Sequence, residues 1–62
     1  MIYDNIKSVA DKRGMSIAEI EKRAQIGNGI IGKWKESSPN LDSLVKVARV
    51  LNVSINTLTK GC

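Results

Sequence analysis

A chain of 62 residues has room for one small core, burying roughly 60% of the surface its unfolded form exposes, and none for an enclosed catalytic cleft. Ten Lys and Arg against six Asp and Glu leave a net charge of +4, a balance that favours polyanionic partners. With no His and one Cys, at position 62, neither a disulfide framework nor a zinc cluster can be assembled.

Residues 1–62 read as a single domain whose apolar period is helical throughout. In the first helix Ile2, Ile6, Val9 and Ala10 form one stripe, Lys12 and Arg13 suit its C-terminal end, and Gly14 is its stop. Ser16 and Glu19 form an S-x-x-E capping box, so a second helix starts at about Ile17, carries Ile20 and Ala24, and ends near Gln25. A third follows Ile26, with Gly27 or Asn28 as N-cap and Ile30, Ile31 and Trp34 as its apolar members. Glu36, Ser37, Ser38 and Pro39 make a loop. Asn40 caps a fourth helix with the stripe Leu41, Leu44, Val45, Val47, Ala48 and Leu51. Ser54 caps a short fifth, with Ile55 and Leu58 inward and Gly61 beyond its end. The β-branched density of VKVARVLNV suggests a strand, but Leu44, Ala48 and Leu51 keep helical spacing and alternation fails across residues 48–51. The expectation is an all-α, compact five-helix bundle.

The N-terminal MIYDNIKSVADKR lacks the apolar centre of a signal peptide, and no apolar run approaches membrane-spanning length. A cytoplasmic location is the default expectation, and Cys62 is expected to be exposed at a frayed end.

Three pieces of the chain, SIAEIEKRA, IGNGIIGKW and SPNLDSLVKVARVLNVSINTL, resemble in order and spacing the DNA-binding domain of Cro and phage-repressor (CI) type regulators, the Xre family. The likeness runs from Ile6 to Gly61, and the GNG-x-I-x-x-W spacing is similar to that of repressors from Gram-positive bacteria and their phages. The resemblance implies a compact five-helix domain in which helices two and three form a helix-turn-helix. Its third helix would enter the major groove of double-stranded DNA with its N-terminal residues against base edges.

On that footing Asn28, Gly29 and Lys33 fall at base-contacting positions, with Ile30 at the edge against a thymine methyl. Asn suits adenine N6 and N7, and Lys suits guanine O6 or N7. Ser16 and Ile17 open the helix whose N-terminus meets a phosphate in relatives, where backbone N–H groups supply the contact. Gly27, Lys35, Ser37 and Ser38 fall at further backbone-contacting positions. A homodimer on a palindromic operator is implied, paired through the fifth helix with Asn56, Thr57 and Leu58. No cofactor and no metal are implied.

Each assignment has a plainer rival. Asn28 could be only an N-cap, Lys33 and Lys35 only solvated charges, and Gly27, Gly29 and Gly32 only the cause of a frayed helix, at roughly 1 kcal/mol per interior glycine. Trp34 shares a face with Ile30 and Ile31, so core packing is preferred to base stacking, with Tyr3 the one other aromatic. Three positions depart from the family pattern. Gln25 stands where Gly is common and bears strain if the turn needs positive φ. Glu21 stands where a small residue is common, and must turn outward or force the helices apart. Lys35 replaces a frequent acid, removing an ion pair with helix one and freeing a cation for phosphate.

The reading is therefore a transcriptional regulator, with repressor preferred. A protein-interaction module of antitoxin or anti-repressor type is the alternative; it would call for an acidic or apolar recognition face, which Asn28, Lys33 and Lys35 do not provide. An enzyme is not expected, since no nucleophile–base constellation can be built from these residues.

Overall fold

Three N-terminal caps set where the helices begin. The Ser16 hydroxyl accepts the Glu19 N–H at 3.1 Å, the Asn40 side-chain oxygen accepts that of Ser43 at 2.8 Å, and the Ser54 hydroxyl that of Thr57 at 3.2 Å. The computed structural model describes residues 2–61, in the order α1 (Ile2–Lys12), α2 (Ile17–Ala24), the 3₁₀ helix η1 (Ile31–Lys35), α3 (Leu41–Leu51) and α4 (Ile55–Thr59). Among the described residues the fold is all-helical, with four α-helices rather than five. The expectation for Cys62 lies outside the described residues.

The correction falls on the third helix. Gly27 and Gly29 take φ of +88° and +81°, so a right-handed helix cannot start before Ile30. The short stretch that remains before the chain turns away at Glu36 winds as a 3₁₀ turn, with the Lys33 N–H on the Ile30 carbonyl at 3.1 Å.

C-terminal ends follow one scheme. A left-handed residue reverses the chain at Gly14, Gln25 and Asn52, with φ of 67°, 59° and 57°. The next N–H then reaches back to a helix carbonyl, Met15 to Ala10 at 2.9 Å, Ile26 to Glu21 at 3.3 Å and Val53 to Ala48 at 3.0 Å. Gly adopts this conformation freely and Asn tolerates it; Gln25 carries the strain its sequence position suggested.

The core takes Ile6 and Ala10 from α1, Ile20 and Ala24 from α2, and Ile31 and Trp34 from η1. Leu44, Val47, Ala48 and Leu51 of α3 and Leu58 of α4 complete it. Trp34 is therefore a packing residue, as expected. The Asn5 amide ties the two ends of the domain together, donating to the carbonyls of Leu58 at 2.8 Å and Lys60 at 2.7 Å.

Burial changes two expectations. Leu41, assigned to the inward stripe, is 67% exposed, because the buried stripe of α3 begins one turn later at Leu44. Leu58, expected inward on its own helix, is fully buried in the core as its stripe predicted, and so is not available for the pairing role the resemblance implied, whereas Asn56 and Thr57 are exposed.

Gln25→Gly is expected to raise stability by about 1 kcal/mol, since it removes the left-handed penalty while leaving both capping N–H bonds in place. Urea denaturation checks this, and a lowered midpoint at unchanged slope would contradict it.

Candidate nucleic-acid interface

The α2–turn–η1 unit is organised by Glu21. This residue is 4% exposed and lies on the inner side of α2 beside Ile20 and Ala24. One carboxylate oxygen, Oε1, accepts the Gly29 N–H at 3.1 Å, and the other, Oε2, accepts the Ile31 N–H at 2.9 Å. The expectation that Glu21 turns outward is thus corrected. A small residue there would avoid crowding, but the glutamate is accommodated because the turn offers two backbone donors to its charge. No periodicity announces this; the readable signal was a glycine-rich segment whose N–H groups had no partner within it.

Above that carboxylate, Asn28 sits exposed at the apex of the turn, between two glycines of positive φ. The Asn28 side chain is outside the capping of η1, whose preceding residue Ile30 makes no side-chain cap bond, so its role as N-cap is not realised. Gly29 contributes an exposed surface, but its N–H is engaged by Glu21. Lys33 and Gly32 are exposed on η1, while Ile30 is half-buried and packs against the core. Gly27 is exposed, and a Cβ built there would meet the Ile30 side chain at 3.6 Å, an ordinary contact, so its φ rather than space calls for glycine.

At the start of α2 the Ser16 hydroxyl accepts the Glu19 N–H and the Ser16 carbonyl accepts that of Ile20. The N–H groups of Ile17 and Ala18 precede the helix ladder and remain outside these bonds. The Glu19 carboxylate pairs forward with Arg23 at 2.7 Å, so Ser16 supplies the cap and Glu19 serves an i,i+4 ion pair.

Lys35, Ser37 and Ser38 come together, with Ile2, Trp34, Glu36 and Gly61, around one open cleft of about 280 Å³. Two of these residues are engaged within the protein. The Lys35 ammonium lies 4.7 Å from the centre of the Tyr3 ring, which replaces the missing ion pair with α1 by a cation–π contact. Lys35 is therefore not the free cation expected. Ser37 directs both its N–H and its hydroxyl to the Lys33 carbonyl, each at 3.1 Å, and the Glu36 N–H joins them at 3.1 Å. These bonds close the last turn of η1, and the Ser37 donors can reach another acceptor only by releasing that carbonyl.

Among the described residues no group of His, Cys, Asp and Glu could hold a metal ion, and no helix is long and apolar enough to cross a membrane. The family model described as helix-turn-helix matches residues 6–58, from the middle of α1 to Leu58 of α4.

The chain belongs to the Cro/CI-type (Xre) helix-turn-helix family. It is thereby a DNA-binding helix-turn-helix protein of a regulatory family, with α2 and η1 at the two helical positions of the motif. Neither a curated protein nor a solved structure matches it. Within this Xre chain the second helical position of the motif is filled by a 3₁₀ turn, which the Glu21 carboxylate ties to α2.

Tyr3→Leu is expected to release the Lys35 side chain. The ring-current shift on its Nζ-proximal methylene protons would collapse toward the values of an exposed lysine in the NMR spectrum, and an unchanged shift would refute the contact.

Proposed function

We propose that this protein is a sequence-specific double-stranded DNA-binding transcriptional regulator, a repressor, that places residues 28–35 in the major groove. The observation that carries the reading is the exposed Asn28, at the apex of the turn that leads into η1, with Lys33 exposed on η1 itself. An amide so displayed can pair bidentately with adenine, and the lysine can donate to guanine. In this reading Gly29 serves by its lack of a side chain, letting the backbone approach the base edges. Ile30 reaches a thymine methyl only from the margin, being half-buried.

Phosphates would be met on two sides of this segment. The N–H groups of Ile17 and its neighbour, together with the Ser16 hydroxyl, face one strand; Gly27, Lys35 and Ser38 serve as further contacts, with Ser37 joining them if its bonds to Lys33 open. Lys35 would exchange the Tyr3 ring for phosphate, a small loss for an exposed cation in exchange for counterion release.

One such unit spans only a few base pairs, so useful affinity calls for two copies on a palindromic operator, with half-sites about one helical turn apart. The exposed Asn56 and Thr57 of α4 are the residues proposed to pair the copies, without Leu58. Repressors of the bacterial and phage type that the chain resembles act on DNA in the cytoplasm, which is the location proposed here.

The deciding experiment selects bound sites from random duplex DNA. Recovery of a palindrome supports the reading, while absence of any duplex affinity at low salt would overturn it in favour of a protein-interaction module. Asn28→Ala is expected to weaken the selected site by about 1–3 kcal/mol and to relax preference at one base pair, measured by competition binding. Lys35→Ala should weaken all duplex sequences alike and flatten the salt dependence by about one unit of slope, as read from titrations across a range of salt.

A further inference from the structure

We infer that Glu21 is a positioning residue for DNA recognition: from the inner side of α2 it holds the Gly27-Asn28-Gly29 turn in one conformation before any DNA arrives. The inference rests on the DNA-binding reading for its consequence, and on the geometry of this site for its mechanism.

The turn by itself has little to hold it. Two of its three residues are glycines at φ of +88° and +81°, the residue type with the widest backbone freedom. The ideal Cβ position at Gly29 has no atom within 4 Å, so packing does not confine that residue. Asn28 is exposed and makes no capping bond to η1. The restraint comes from one side chain. Glu21 accepts the N–H of Gly29, directly after Asn28, and the buried N–H of Ile31, where η1 begins. Its own main-chain carbonyl accepts the Ile26 N–H at the left-handed end of α2. One residue therefore fixes the turn at both margins, through its backbone on the α2 side and its carboxylate on the η1 side.

The chemistry favours a carboxylate over any other acceptor. Both N–H groups need an acceptor at once, and a glutamate offers two equivalent oxygens with the added strength of a charged partner. Glutamine of the same size keeps one oxygen and sets an amide N–H₂ against the second N–H. Aspartate keeps the charge but falls one methylene short. A turn held this way gives up its conformational freedom on folding rather than on binding, so the cost of ordering Asn28 is removed from the recognition step. The same bonds occupy the Gly29 and Ile31 N–H groups, leaving base reading on this turn to side chains.

Amide hydrogen exchange of the free protein, read by NMR, tests the mechanism. In the natural chain the Gly29 and Ile31 amides are expected to exchange at least about tenfold more slowly than that of Asn28, and Glu21→Gln should remove most of that protection. Unprotected Gly29 and Ile31 amides in the natural chain would overturn the inference, whether or not any variant folds. Protection unchanged in a folded Glu21→Gln would do the same, and Glu21→Asp is expected to lose protection at one of the two amides. Competition binding then tests the consequence, with the duplex selected from a random pool and a scrambled duplex as probes. Glu21→Gln should weaken the selected duplex about tenfold without weakening the scrambled one, because charge-assisted bonds to the turn are lost while the lysines remain and one negative charge is removed. Equal weakening of both duplexes, or none, would reject the positioning role. A natural chain that prefers neither duplex would refute the DNA reading, while the exchange data would still decide whether Glu21 holds the turn.

Discussion

The pair of hydrogen bonds from the Gly29 and Ile31 N–H groups to the Glu21 carboxylate is the constraint on which the rest of the helix-turn-helix depends. It joins α2 to η1 through charge rather than through apolar contact alone, and it does so at a buried point where an unpaired N–H would be costly. Given that bond, Ile31 and Trp34 face the core, and the exposed edge of η1 faces away. The glycines at 27 and 29 are the complement of the same arrangement, since their positive φ brings the two N–H groups round to the carboxylate.

The rest of the fold presents this unit firmly with little material. Main-chain reversals after α1, α2 and α3 are made by one device, a left-handed residue followed by a return hydrogen bond, so each connection is short and directed. The ends of the domain are fastened by Asn5, which spends both amide hydrogens on carbonyls at the C-terminal end of α4. A chain this small gains by such polar ties, because its apolar core is limited by its length. The strain accepted at Gln25 lies directly beside the clamped turn, where the chain must leave α2 in the direction that brings Gly29 under Glu21.

A similar economy governs the loop after η1. The Lys33 carbonyl gathers three donors, and Lys35 rests over Tyr3, so two of the proposed phosphate-facing residues, Ser37 and Lys35, are held by internal partners. These partners differ in how readily they yield. A cation–π contact of an exposed lysine is worth about 0.5–1 kcal/mol, while the Ser37 bonds close a helical turn. In the proposed reading Lys35 therefore changes partner more readily than Ser37, and the two residues are not equivalent contacts despite their adjacency.

What the sequence determined by itself was everything carried by short-range chemistry. The caps at Ser16, Asn40 and Ser54, the stop at Gly14, and most of the buried stripe from Ile6 to Leu51 depend on residues within a turn or so of one another, and they were legible. The family was legible too, since spacing between such elements is a linear property. The tertiary structure alone decided the inward Glu21, the engaged Lys35 and the outward Leu41. The partners that settle the first two come from other elements, α2 with η1 and η1 with α1. Helical periodicity predicts which way a side chain points from its own element, but not what charge, ring or backbone donor waits there. For Glu21 that unseen neighbour reversed the expectation, turning an awkward residue into the acceptor that joins α2 to η1.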